Sequence, residues 1–503
     1  MSDNDPSKVG KRLASNYISL FKGRLLSHMI GFIGSIMVIR ILMPQDYGIL
    51  SLAMSLPYLL GSLGNGGVNI AVTRLVAKYS DDEFRVKKYI SSGIAFDLLF
   101  GTALAIIGYF LTPFIFTTIY DKPSVIPYAQ FASLFSIPYW GSSSIFQGIL
   151  GLEMTEENSK MWIAHYTVQT VLGIGLALSF LRVYGVEIAY MLAYLAMIIY
   201  GMSLLIRKSL LTVPSLSFMK ELITFGLPLT MTSISSVFGG IYSVSIVNRF
   251  FSIFEVSNFT ASNKTGVVID TLVNPLGYSI QPTLSKLDYS DKATVSTIIN
   301  KIYKLNLIIN LPVLIVLGYM SYPIIFILAG QSYTLAPLML KLTVIRMIES
   351  NLLGYPVFNS VLTYAGKVRT VSKVNTLTQI IFSGLITVLV PLYGYWGYFV
   401  ASWVDFIPSF IISFLALRDL IPSYKPPVKE TAKAFLITSV VLSPLLYPSI
   451  IVVPFSFLFL IILFKLYSVT KVISKEEINV IMKAVDSSSL KVMSPLLKRV
   501  FSV

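Results

Sequence analysis

The chain of 503 residues contains no cysteine. That excludes disulfides, thiolate metal sites and cysteine nucleophiles together. Histidine is nearly absent as well. His28 and His165 are the only two, too far apart in sequence to suggest a histidine-based metal site. No cofactor is expected. Charge is scarce: 13% of residues are charged, against about 25% in a soluble domain. The first 22 residues are polar and basic, with no apolar stretch leading to a small-residue cleavage site, so no cleavable signal peptide is expected.

What the chain does have is apolar sequence, 55% of it, with a mean hydropathy of +0.75. Runs of about 20 apolar residues recur from end to end, the mark of an all-α polytopic membrane protein. About fourteen helices are expected, at 14–42, 48–77, 88–112, 124–150, 160–181, 186–206, 219–248, 256–285, 300–320, 333–363, 370–391, 395–417, 431–448 and 449–467. The last two could be one long segment broken around Pro444, Pro448 and Pro454.

The net charge of +15 then fixes orientation. If the N-terminus is cytoplasmic, the far-side breaks hold only Arg40, Lys122, Arg182 and Arg249. The near-side breaks hold Lys78, Arg85, Lys87, Lys88, Arg207, Lys208, Lys367, Arg369 and many more. This asymmetry places both termini in the cytoplasm of a cell with a plasma-membrane protein. The basic residues form no continuous face, so no nucleic acid partner is expected. Beyond residue 470, Ile478, Ile481, Met482 and Val485 fall at helical spacing among lysines, as in a basic amphipathic helix on the membrane surface.

The chain also repeats itself. "RILMPQDYG" (Arg40–Gly48) is echoed by "RFFSIFEVS" (Arg249–Ser257), with Arg40 and Arg249 209 residues apart. "YSD" at Tyr79 recurs at Tyr289, and "VYG" at Val183 is matched by "LYG" at Leu392. The near-constant offset implies two six-helix units, 1–209 and 210–420. Two additional helices at 421–470 and a tail at 471–503 follow. Six is even, so the units are parallel, with a substrate path expected at their interface. The Arg40–Gly48 stretch itself reads as a structural outer turn, with Asp46 placed to cap the second span.

The basic N-terminus, the "RILMPQDYG" turn, the eighth-span run "ASNKTGVVIDTLVNPLGYSIQPTLSKL" and the "YGV" and "YGY" that open even-numbered spans carry a resemblance. They resemble the polysaccharide and oligosaccharide-lipid flippases of the multidrug/oligosaccharidyl-lipid/polysaccharide exporter superfamily. The resemblance implies a V-shaped, two-lobed transporter. Its partners would be a polyprenyl-pyrophosphate-linked oligosaccharide and membrane lipids, with a proton or sodium ion as coupling ion. It also implies a cationic cavity lined by spans one, two, seven and eight.

Charges inside spans are costly and are functional candidates by default. Lys264, nine residues past Glu255, lies about 13 Å down its helix, deep for a snorkelling side chain. It either lines the cavity or pairs with another helix. Arg24 and Arg74 sit toward the cytoplasmic ends of spans one and two, where they either snorkel or meet a pyrophosphate with their planar forks. Arg346 is a further cation candidate, and Glu349 shares its helix face, so an internal salt bridge is expected. Asp97, Asp270 and Asp405 either pair with cations or carry a coupling ion. Gly61, Gly64, Gly66 and Gly67 point to close packing in span two ahead of local unwinding.

An enzyme is disfavoured. Asp46, Asp121, Glu187 and Glu255 read as acids of tight outer turns, and no loop is long enough to hold a site. The alternative is a cation-coupled drug exporter of the same superfamily. Such exporters tend to carry an acid on the first helix, and none lies between Lys22 and Arg40. Two repeats supply both lobes, so a monomer is expected.

Overall fold

The computed structural model describes residues 6–62, 64–231, 234–265, 284, 287, 289–422, 424–470 and 472–473. Among these the regular secondary structure is entirely helical. Eight helical segments are long and apolar enough to cross a membrane. That number is below fourteen for a physical reason. One run holds two spans, and other spans are assembled from shorter helices.

The double run is α1, Pro6–Ser62. Its apolar part, Gly23–Ser62, has 40 residues and would measure about 60 Å if straight, twice the hydrocarbon thickness of about 30 Å. Met43, at φ 64 and ψ 169, and Pro44 bend it. The Arg40–Gly48 stretch is therefore a turn, as expected. Asp46 does not cap the second span, however: it forms an ion pair with Arg182 of the next outer turn but one. A Cβ on Gly48 would lie 2.3 Å from the Ile253 carbonyl oxygen, so the two echoed stretches meet in space.

Span two is broken. After α1 the chain unwinds through Gly64, Gly66 and Gly67, all at positive φ, and re-forms as α2, Val68–Lys78. Span three is α3, Glu83–Phe114. Span four is in pieces: α4 Ile126–Ser133, α5 Ser136–Gly141 and α6 Ser143–Gly151. Spans five and six are α7, Thr155–Leu178, and α8, Arg182–Arg207. The turns are tight. Asp121, Glu153, Arg182 and Ser209 each take a positive φ between helices. Then come α9 Leu216–Met231, α10 Ile234–Phe250 and α11 Ile253–Lys264.

The compact first unit runs to Ser257, because α9 packs on α2 and α3, and α10 on α1. Its core gathers Val68, Val72, Ile90, Ile145, Ile149 and Met161. The second unit, Asn258–Val503, is built on α12, Lys292–Tyr319. It continues with α13 Ser321–Leu328, α14 Ala336–Leu352, α15 Tyr355–Tyr364, α16 Val368–Tyr393, α17 Tyr395–Val404 and α18 Phe406–Leu420. The last two helices are separate: α19 Val428–Leu442 and α20 Val452–Val469, with a 3-10 turn between them. They pack on each other and α19 packs on α12, burying Leu442, Leu463 and Tyr467. Most of span eight, with Asp270, and the basic tail beyond residue 473 lie outside the described residues.

Gly67 is the position where conformation and space both demand glycine. It sits at φ +73, and a Cβ there would lie 2.3 Å from the Gly226 carbonyl oxygen of α9. Gly66 has a similar φ with nothing within 4 Å. Gly67→Ala should therefore lower the melting temperature of the detergent-solubilised protein clearly more than Gly66→Ala. The latter meets only the left-handed strain of about 1–2 kcal/mol. Equal shifts would mean that the Gly67–Gly226 approach carries no stability.

Candidate functional site

Two broken helices in the first unit begin at one carboxylate. Asp97, on α3, has no exposed surface. Its Oδ2 accepts the backbone N–H of Ser144 at 2.8 Å and the Ser144 hydroxyl, capping α6 from another helix. Its Oδ1 accepts Asn65 Nδ2 at 2.7 Å. Asn65, 1% exposed, in turn accepts the Asn69 N–H at the start of α2 through Oδ1, a long contact of 3.4 Å. One carboxylate thus serves two helix N-termini, where exposed N–H groups and the helix dipole favour negative charge. From their starts, α2 and α6 each run about 14–17 Å to the cytoplasmic turns. That is half the hydrocarbon thickness, so the junction lies near the midplane. Asp97 therefore pairs with neutral donors and not with a cation.

The junction sets the position of α2 and hence of Arg74. Thr73 donates to Gln147 Oε1 of α6 at 2.8 Å, stitching the two half-helices together. Next to it the exposed Arg74 guanidinium lies 5.0 Å from the centre of the Phe225 ring on α9. Phe225 also lines an open hollow of about 520 Å³ with Ser217, Lys220, Glu221 and Thr224. Glu221 accepts the Tyr89 hydroxyl at 2.8 Å, and Lys220 is the cation lining this hollow, with Arg74 against its Phe225 wall. Lys220 was not among the residues singled out from sequence. It sits at the start of a span, where a lysine reads as one more cytoplasmic charge. Arg24 is exposed on α1. Lys264 lies in the last turn of α11 with its side chain exposed.

In the second unit Arg346 does not pair with Glu349. It reaches Asp405, 3.7 Å away on another helix, and stacks 4.2 Å over the Phe406 ring. Glu349 is half-buried on the same helix as Arg346. A second polar cluster went unnoticed in the sequence. Asn306 Nδ2 donates to Asn351 Oδ1 at 3.1 Å, and Asn310 Nδ2 donates to Asn306 Oδ1 at 2.7 Å, all three buried. Its signal was the repeat offset, since Asn306 is 209 residues after Asp97.

Residues 13–288, more than half of the chain, match the family described as "Polysaccharide biosynthesis protein". The chain belongs to the polysaccharide biosynthesis protein family. A search of curated proteins finds no match in sequence. Among solved structures, the fold is similar to that of the lipid II flippase MurJ in an inward closed conformation. The TM-score is 0.70 and the identity 15%, covering 90% of this chain and 98% of that one. It is also similar to an inward-facing multidrug resistance MATE family transporter of the MOP superfamily. Here the TM-score is 0.62 and the identity 13%, with 80% and 99% covered. A mutant of the Vibrio cholerae MATE transporter VcmN matches with TM-score 0.50 and 14% identity, over 82% and 98%. At these identities the likeness is one of fold: an all-helical membrane fold like those of the MurJ and MATE structures.

This family member also carries a cation at its outer turn. Lys122 Nζ donates to the carbonyls of Tyr120 at 3.2 Å, Arg249 at 3.2 Å and Asn248, closing the C-terminal end of α10. Arg249 reaches Asp121 at 3.5 Å. Burial, and then the charge of Arg249, lower the Lys122 pKa to about 8.

Two outcomes are expected. Asp97→Leu leaves three buried donors unpaired, at roughly 1–3 kcal/mol each, and should sharply reduce folded yield and melting temperature. Asp97→Asn keeps one acceptor and should fall between it and wild type. A wild-type melting curve for Asp97→Leu would remove the junction from the stability account. For Lys122, the folded state holds its proton less tightly than the unfolded chain, whose lysine titrates near 10.4. Stability from this group should therefore rise with pH between about 8 and about 10.4, and Lys122→Met should lack that rise. Parallel stability–pH curves for the two proteins would contradict it.

Proposed function

We propose that this chain moves a lipid-linked oligosaccharide, carried on a polyprenyl pyrophosphate, from the cytoplasmic to the outer leaflet of the plasma membrane by alternating access. The observation that carries the reading is the family match over residues 13–288. Similarity in fold to a protein named as a lipid II flippase supports it. In this reading the chain is a monomer with both termini in the cytoplasm. Lobes 1–209 and 210–420 move against each other, the additional helices at 421–470 flank the second, and the segment 471–503 rests on the cytoplasmic surface.

No bond is made or broken, so the chain acts as a carrier and not as an enzyme. What its residues supply is charge. Arg74 offers two parallel N–H donors to a pyrophosphate, with Phe225 behind it holding the guanidinium plane. Lys220 adds a second cation at the same hollow. Arg24 and Lys264 extend the cationic set along spans one and eight. Arg346, stacked and paired with Asp405, contributes to substrate binding only if that pair opens. The drug-exporter alternative would need an acid on the first span, and the chain has none between Lys22 and Arg40.

The test is reconstitution in liposomes with a polyprenyl-pyrophosphate oligosaccharide in one assay and a cationic dye in the other. The lipid-linked sugar should change leaflets and the dye should not cross. Arg74→Ala should slow the sugar lipid roughly tenfold or more at equal protein content, the loss of one charge-assisted interaction of about 1.5–3 kcal/mol, and Arg74→Lys should recover part of it. Dye transport without lipid movement would overturn the reading in favour of a drug exporter.

A further inference from the structure

Span seven belongs by sequence to the second repeat, which begins at residue 210, yet it packs with the compact first unit, which ends at Ser257. It does so as two helices, α9 and α10, held by different chemistry. The cytoplasmic start of α9 is laced to α3. Ser91 Oγ accepts the Thr212 N–H at 2.9 Å, Ser92 Oγ accepts the Ser215 N–H at 3.0 Å, and Lys88 donates to the Val213 carbonyl at 3.0 Å. Phe218 lies 5.0 Å, ring centre to ring centre, from Tyr89, whose hydroxyl is bonded to Glu221. Gly226, ten residues past Leu216 and so about 15 Å from the start of α9, meets the Gly67 backbone with no room for a Cβ on either glycine.

The outer end of α10 is held by polar groups. Asn248, 3% exposed, donates from Nδ2 to Ser55 Oγ of span two at 2.8 Å. The hydroxyl of Tyr120, in the turn after span three, faces Ser245 Oγ at 3.5 Å. Lys122 of the same turn bonds the carbonyls of Asn248 and Arg249. Those carbonyls lie in the last turn of a helix that ends at Phe250, so no N–H further along α10 can serve them. The ammonium also sits at the negative end of the helix dipole. Each neighbouring acid has a partner of its own: Asp121 pairs with Arg249 at 3.5 Å, and Glu255 accepts the Ser252 N–H at 2.7 Å and the Ser252 hydroxyl at 2.9 Å.

The two holds differ in what parting would cost. At the outer end, hydroxyl, amide, ammonium and carbonyl groups can exchange one another for water at small net cost. At the Gly67–Gly226 contact, near the midplane, no water replaces what is lost. The outer hold is thus the one built to let go, and the glycine contact is the one built to stay. Alternating access as proposed above requires the second repeat to part from the first at the outer face, and span seven is where the second repeat begins.

We propose that Lys122 is a releasable clasp on span seven. It holds the C-terminal end of α10 against the outer ends of spans two and three. Its release lets α10 swing away from them about the Gly67–Gly226 contact when the substrate leaves toward the outer leaflet. This inference rests on the flippase reading for the substrate, not for the clasp.

The chain has no cysteine, so Asn248→Cys places a single thiol in the clasp and leaves untouched the backbone carbonyls that Lys122 binds. The full chain is labelled in intact cells with a membrane-impermeant maleimide added outside. The pH is 7, below the value of about 8 to which burial, and then Arg249, lower Lys122, so the clasp carries its charge. Labelling of Asn248→Cys should be slow. Adding Lys122→Met should raise its rate about tenfold or more, the loss of a charged hydrogen-bonding group, and adding Lys122→Arg should raise it less. Equal rates with lysine and with methionine at position 122 overturn the proposal. Ala189→Cys, buried on α8, should stay unlabelled in both backgrounds. If it labels with Lys122→Met, that variant has unfolded and a crosslink decides. Ser55→Cys with Asn248→Cys, joined by a short cleavable thiol reagent, should stop a polyprenyl-pyrophosphate oligosaccharide from changing leaflets in liposomes, and cleavage should restore movement. Undiminished movement with the link in place overturns the clasp. A wild type that moves no substrate overturns the flippase reading instead, and the labelling rates of Lys122→Arg against Lys122 then decide the clasp alone.

Discussion

A helix that begins inside hydrocarbon exposes N–H groups that no water can reach, and the bilayer offers no substitute. In the first unit two helices begin there, and Asp97 answers for both. It caps α6 directly and α2 through Asn65. Without that carboxylate, neither break in spans two and four could stand at the midplane. The placement of α2 against α6, the core of Val72, Ile90 and Ile145 beneath them, and the presentation of Arg74 over Phe225 all follow from it. The charge is tolerable because every bond to it is from a donor aimed at it. Charge-assisted hydrogen bonds are roughly twice as strong as neutral ones.

The helical spans were legible because each is a local run of apolar residues, and the turns because Pro and Gly punctuate them. Breaks inside spans were harder to read. Gly64, Gly66 and Gly67 announced a special place, but glycine signals close packing and unwinding alike, and at Gly67 both occur. Nothing local marks Ser144 as a capped residue, since its acceptor is 47 positions away. Arg346 illustrates the same limit. Helical spacing offered Glu349 as its partner, whereas the chain folds Asp405 beside it. Glu187 failed differently. A shift of a few residues at a span boundary carries an acid from a turn into the interior, and sequence patterns do not resolve boundaries that finely.

The repeat offset adds a comparison between lobes. Asp97 corresponds to Asn306 and Asn65 to Asn274, each 209 residues on, with Asn274 outside the described residues. In the second unit the role of the carboxylate falls to an amide. Asn306 meets Asn351 just ahead of Gly354, which takes φ +75 where α14 gives way to α15. The construction is shared: a polar residue in the third span of the repeat bonds beside a break in the fourth. Its charge is not. An amide both donates and accepts, so the three asparagines bond one another, leaving Asn310 Oδ1 without a partner among the described residues, where the first unit needs an acceptor alone. The two units thus share this construction and differ in the electrostatics of its joint.

Asp97 and Glu187 sharpen what burial means in such a protein. Both are acids with no exposed surface in the same unit. Asp97 accepts three hydrogen bonds, whereas Glu187 accepts none. Burial alone would assign them the same role, and partners separate them. A carboxylate that accepts three hydrogen bonds from donors aimed at it is fixed by structure. A carboxyl without partners costs the fold free energy and stabilises nothing around it, so the fold provides no reason for its presence. The first unit therefore holds one acid that its helix starts are built around and one that no donor among the described residues holds.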